Sequence, residues 1–208
     1  MPLDRAGVGW HADALVQTLP SEPPGDPVAG GAWEVARRLV TGYRMADPAI
    51  VRATWDPDAP LEGREMLLQL RLFRVLRVSV RVRVTRAWDE VRAGSRVFGY
   101  EYETLPGHVE IGRMDYEVHK RLDDGAVDFR IHARSRPSED GAAWVRLGYR
   151  LFGRRQQVRF YLRSCERIAR LTARELGLSS RPPPPTVRLD EADAPDTGPL
   201  VERLAPRR

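Results

Sequence analysis

A chain of 208 residues, 42% hydrophobic and 30% charged, has the length and composition of one globular body with tails, able to hold a core without staples. Its net charge of +5 arises from 34 basic residues interleaved with 29 acidic ones; Lys120 is the only lysine, so the excess reads as arginine-rich composition and speaks against nucleic acid as a partner. The single cysteine, Cys165, excludes an internal disulfide, and no apolar run reaches the length of a membrane span or a signal-peptide core, so a cytoplasmic protein is expected.

In chain order, Ala14–Thr18 offers a weak first strand, and residues 18–31 (TLPSEPPGDPVAGG) read as a Pro/Gly-rich linker. Trp33, Ala36, Val40 and Tyr43 recur at helical spacing and predict a helix over Trp33–Arg44. Asp47-Pro48 ends that helix and predicts a second short one over Pro48–Thr54, followed by a loop over 55–64. Strands are then expected over Met66–Phe73, along Val78, Val80, Val82 and Val84, over Phe98–Thr104, along Met114, Tyr116 and Val118, and along Val127, Phe129, Ile131 and Ala133.

The last two strands are joined through Asp123-Asp124-Gly125. If Asp124-Gly125 forms a two-residue turn, Arg121 faces Asp128, Glu117 faces His132, Asp115 faces Arg134, and Leu122, Val118 and Tyr116 face Val127, Ile131 and Ala133. A long amphipathic helix over Ala142–Leu176 follows. Trp144, Leu147, Leu151, Val158, Leu162, Cys165 and Ala169 form its stripe, and Arg154, Arg159, Arg163, Arg167, Arg170 and Arg174 its outer face. The expected organisation is an extension and linker over 1–31, one domain over 32–177 and a Pro-rich, unstructured tail over 178–208.

The runs FGYEYETLPGH, EIGRMDYEV and VDFRIHARSRP, followed by a basic apolar helix, resemble the bacterial domain of unknown function 1990 family, from about Trp33 to Thr172. Glu103 and Val109 depart from the family's commoner Gly and Pro in the first run. The resemblance implies an α+β, START-like helix-grip fold, a curved antiparallel sheet wrapped around a long C-terminal helix. That superfamily often holds a hydrophobic ligand, and it also hosts cyclases, hydrolases and scaffold proteins, so fold alone does not fix function.

The candidate site follows from the alternation. Phe98, Tyr100, Tyr102, Tyr116 and Phe129 point to the concave side, with Thr104 and Ser135 at their ends. The plainer reading is core filling, since aromatics dominate cores; the sharper one is a pocket whose phenols hold the polar end of an apolar guest. His108, in the turn after Leu105-Pro106-Gly107 and beside Glu110, is either corner chemistry or a rim base or anchor. His11, His108, His119 and His132 are scattered, the last two are expected on the outer face, and no metal, nucleotide or nucleophile motif occurs, so no metal or cofactor is expected. The readings rank as a small apolar or amphipathic ligand first, then a scaffold whose basic helix and tail meet an acidic partner, then a cyclase- or hydrolase-like enzyme using His108 and Glu110.

Overall fold

The computed structural model describes residues 11–72, 76–106, 110–137, 154–179 and 182–189. Eight strands form one antiparallel sheet: β1 (His11–Leu19), β2 (Val51–Thr54), β3 (Glu65–Leu72), β4 (Leu76–Arg92), β5 (Ser95–Thr104), β6 (Glu110–Arg121), β7 (Val127–Pro137) and β8 (Thr186–Leu189). Their spatial order is β2-β3-β4-β5-β6-β7-β1-β8. Helix α1 (Ala32–Thr41) and helix α2 (Arg154–Glu175) pack on one face of that sheet. The alternation of buried Val80, Val82 and Val84 with exposed Arg81 and Arg83 makes β4 half-buried, as its pattern demands.

Strand β4 runs on past Thr85 to Arg92, further than its valines announce. A bulge between Val84 and Arg86 breaks its register with β5 and bends the sheet. Ala93 (φ 48°) and Gly94 (φ 73°) then make a two-residue turn with both central residues left-handed, the geometry that matches strand twist.

The short second helix does not form. Asp47 accepts the Ala49 amide on its side chain and the Ile50 and Val51 amides on its carbonyl, which completes one turn, and Val51–Thr54 then pairs with Leu67–Leu70 as an edge strand. Tertiary pairing outweighs the local helix start there.

The β6–β7 register is displaced by two residues from the expected one: His119 faces Asp128, Val118 faces Phe129, Glu117 faces Arg130, Tyr116 faces Ile131 and Asp115 faces His132. Leu122 is withdrawn from the ladder because its amide donates to Gly94 and its carbonyl accepts from Gly25. The loop therefore holds four residues, Leu122–Gly125, closed by the Arg121 amide on the Ala126 carbonyl at 2.9 Å, and only Gly125 is left-handed. A shift of two keeps every side chain on its expected face.

Both termini of the expected domain move outward. Strand β1, which contains the first strand expected at Ala14–Thr18, pairs with β7 over nine positions, so the sheet takes in part of the stretch expected to be an extension and linker. Part of the Pro-rich tail also joins the sheet: Thr186–Leu189 pairs with Asp13–Val16, and the Gln17 side-chain amide donates to the Pro183 carbonyl at 3.0 Å. Residues 142–153, the first part of the expected long helix, lie outside the described residues. In α2, Val158, Cys165 and Ala169 are buried as the stripe requires, and Tyr161 and Ile168 beside them are buried too.

Candidate functional site

The strand registers stack the concave-facing side chains into rows. At one end Thr104, Gly112, Ser135 and His11 are neighbours; next come Val84, Tyr102, Met114, Ala133 and Asp13; then Ala87, Tyr100, Tyr116, Ile131 and Leu15; then Phe98, Val118, Phe129 and Gln17. The predicted aromatic set is thus brought together on one face, and Phe98, Tyr100, Tyr102, Tyr116 and Phe129 are all buried. Tyr116 is the hub. Its ring stacks on Phe129 at 6.2 Å and meets Tyr100 at 5.6 Å, Tyr102 at 5.8 Å and Tyr43 at 6.0 Å.

The polar ends of these rings converge. The Tyr102 and Tyr116 hydroxyls lie 3.5 Å apart, Tyr102 also reaches Met114 Sδ at 3.6 Å, and the Tyr100 hydroxyl donates to the Val40 carbonyl at 3.3 Å. The Tyr43 hydroxyl is enclosed with no partner of normal hydrogen-bond geometry among the described residues. Burial pushes the phenols of Tyr43, Tyr100 and Tyr116 well above the ordinary tyrosine range, and the neighbouring phenols add to it, so all three are held neutral.

Tyr43, expected in the last turn of the first helix, lies just past the helix end. The Tyr43 amide donates to Val40 and the Arg44 amide to Leu39, a Schellman stop whose left-handed position is occupied by Tyr43 (φ 52°) although Gly42 stands beside it. A bulky residue there is strained. The strained backbone carries the ring into the tyrosine cluster.

A second polar group lies at the end of the rows near Ser135. Arg154, expected on the solvent face of the last helix, instead grips Asp13 with both guanidinium nitrogens, and the Asp13 side chain is only 1% exposed. Gln157 accepts from Arg154 at 3.0 Å and donates to Ser135 Oγ at 2.9 Å. Ser135 therefore points inward as expected, held by α2. The Thr104 hydroxyl accepts from the Gly112 amide at 3.1 Å and donates to its carbonyl at 3.3 Å, closing the β5–β6 ladder. His108 lies outside the described residues, as does the side chain of Glu110.

Two further α2 hydroxyls, Ser164 Oγ and Thr172 Oγ1, are fully buried and without a partner among the described residues. Sequence reading passed over Asp13, Gln157, Ser164 and Thr172 because no local pattern marks them. The one available signal was polar residues interrupting the apolar stripe of α2. Cys165, in the same stripe, behaves as the small buried hydrophobe expected, its thiol pushed up to about 12 by burial.

His119 and His132 lie on the outer face as expected. His119 is nonetheless buried there, 2.8 Å from Glu117, whose carboxylate also accepts from Trp88 Nε1 and Arg92. Burial would raise the Glu117 carboxyl, but the His119 and Arg92 bonds outweigh it and hold it down at about 2.

The family model described as Domain of unknown function (DUF1990) matches residues 4–167. The chain belongs to this family. The match starts at residue 4, not near Trp33, in keeping with β1 being part of the sheet. No curated protein matches this DUF1990 chain. Among solved structures it is similar to a norcoclaurine synthase point mutant from Thalictrum flavum, in complex with a transition-state analogue, at 8% identity and TM-score 0.51 over 82% of this chain and 99% of that one. Human STARD10 (8% identity, TM-score 0.41, 85% of this chain and 77% of that one) and major latex-like protein 151 from Panax ginseng (9% identity, TM-score 0.39, 71% and 95%) are further neighbours. The DUF1990 chain thus has the α+β helix-grip fold, a curved antiparallel sheet closed by its C-terminal helix. No helix among the described residues is long and apolar enough to cross a membrane, and no group of three His, Cys, Asp or Glu among them is placed to hold a metal.

Proposed function

We propose that this DUF1990 protein binds a small amphipathic molecule between its concave sheet and α2. The guest's apolar body packs on Phe98, Tyr100, Tyr116 and Phe129, and its polar group meets the hydroxyls of Tyr43, Tyr102 and Tyr116, with Ser135 at the end of the rows. The observation that carries this reading is the enclosed Tyr43 hydroxyl beside the Tyr102–Tyr116 pair. A buried hydroxyl without a well-formed hydrogen bond costs about 1–3 kcal/mol, which a polar group of a guest would offset. A fold shared with a norcoclaurine synthase solved with a transition-state analogue is compatible with a protein that takes an organic guest.

The test is thermal unfolding of the delipidated full-length protein against a panel of fatty acids, sterols and phenolic metabolites, repeated with Tyr43→Phe. A rise in unfolding temperature that Tyr43→Phe diminishes supports the reading. No shift with any member of the panel, or shifts indifferent to Tyr43, Tyr102 and Tyr116, overturns it.

A further inference from the structure

The outer face of β2, β3 and β4 carries an arginine patch in which four arginines make no ion pair among the described residues. Its cross-strand rows are Thr54–Leu67–Arg81, then Arg52–Gln69–Ser79, then Arg71–Arg77. Arg52, Arg77 and Arg81 are exposed, Arg71 is half-buried, and Leu67 stands among them 39% exposed. Several arginines elsewhere on the surface find acids: Arg37 and Arg96 pair with Asp89, Arg92 with Glu90 and Glu117, Arg113 with Glu101, and Arg163 with Glu166, whereas Arg159, Arg170 and Arg174 of α2 make no ion pair among the described residues and lie spread along one helix, not facing one another across strands. Within the patch, Arg52, Arg71, Arg77 and Arg81 make no ion pair among the described residues; Glu65, one row beyond, is bonded to Arg83 and feels the charge of Arg81 only at longer range.

Arg71 and Arg77 face each other directly across the ladder. Like charges in that relation destabilise a sheet, so the fold gains nothing from them. A protein partner of ordinary kind would need an apolar interface core, and among the described residues of these rows Leu67 alone is a large apolar side chain. Single-stranded nucleic acid would need aromatic stacking platforms, and none stands in these rows. A planar array of guanidinium groups around one exposed leucine matches a flat, phosphate-rich surface that demands charge and not shape.

We infer that the outer face of β2–β4 is a docking surface for an anionic lipid bilayer. The patch lies on the opposite side of the sheet from the tyrosine rows, and the inference stands whether or not a guest occupies the interior.

The experiment is co-sedimentation of the full-length protein with vesicles of phosphatidylcholine, with and without phosphatidylserine. Binding is expected only with phosphatidylserine and is reversed by salt. Arg71→Gln with Arg77→Gln is expected to lower the partition coefficient about thirtyfold, at about 1 kcal/mol per arginine, without lowering the unfolding temperature. Arg52→Gln with Arg81→Gln is a second pair with the same expected loss, should the first fold poorly. Arg163→Gln, on α2, is expected to change nothing. Absence of binding to phosphatidylserine vesicles, an equal loss in Arg163→Gln, or an arginine-dependent affinity for duplex DNA or an acidic polypeptide in place of vesicles overturns the inference.

Discussion

Lys120, the only lysine of the chain, places its ammonium 2.8 Å from Glu22 Oε2 with its own side chain fully shielded from water and that of Glu22 4% exposed. The same ammonium donates to the Asp26 carbonyl, and the Glu22 carboxylate also accepts the amides of Val28 and Trp33. One buried pair therefore fastens the linker over 20–31 to β6 and caps the start of α1, which has no side-chain cap of its own.

Removing one partner leaves a buried charge alone. Lys120→Ala is expected to cost about 3–5 kcal/mol in urea unfolding, more than replacing any exposed arginine of an ion pair. The pair also sets an acid limit. Burial would raise the Glu22 carboxyl, but its bonds to Lys120 and to the Trp33 and Val28 amides outweigh that and lower it. A lowered carboxyl gives stability that is present above the ordinary glutamate value of 4.5 and is lost as pH falls through the folded value. Glu22→Gln is expected to flatten the unfolding free energy in that acid window, measured by urea titration at successive pH values.

Asp115 behaves in the opposite sense. It is raised to about 7 by burial first and by Glu101 opposite it in the β5–β6 ladder second, with Arg113 pulling the other way. The folded protein keeps that proton up to about pH 7, whereas the unfolded chain releases it near 3.8. Its contribution to stability is therefore present below pH 3.8 and declines as pH rises to about 7. Asp115→Asn is expected to remove this decline and to stabilise the protein at pH 8 by about 1–2 kcal/mol, a figure discounted for partial solvation.

Tyr43→Phe separates folding from binding. Deleting a hydroxyl that makes no well-formed hydrogen bond among the described residues is expected to leave the protein alone as stable or up to about 1 kcal/mol more stable, while a guest that bonds to it loses about two- to tenfold in affinity. Chemical denaturation and ligand titration read the two effects separately. Tyr116→Phe, which also removes the partner of Tyr102, is expected to lower the affinity without the stability gain.

Cys165 provides a check on the packing of α2. Its thiol is buried and pushed up to about 12, so a thiol reagent at pH 8 is expected to leave it unmodified in the native protein and to label it fully once denatured. Rapid labelling under native conditions would mean that α2 leaves the sheet.

Much of the fold was legible. The alternation of Val78–Val84, of Phe98–Tyr102 and of Val127–Ala133 settles which face each side chain takes, because successive residues of a strand must point to opposite sides. The stripe through Val158, Cys165 and Ala169 likewise settles which side of α2 is buried. The aromatic half of the candidate site was legible for the same reason. Its polar half was not: Asp13 with Arg154 and Ser135 with Gln157 are joined across 141 and 22 residues, and no local period encodes such a meeting.

The chain's own residues thus determine periodicity, and with it the elements and their buried faces. Register, strand ends and the fate of the linker depended on contacts between distant segments: Leu122 taken by Gly94 and Gly25, Val51–Thr54 recruited by β3, Thr186–Leu189 by β1, and Tyr43 turned inward by the helix stop. Local propensity is worth a few tenths of a kcal/mol per residue, whereas each of these contacts satisfies backbone groups that burial would otherwise leave bare at about 1–3 kcal/mol apiece. Where the two disagree, the tertiary structure decides.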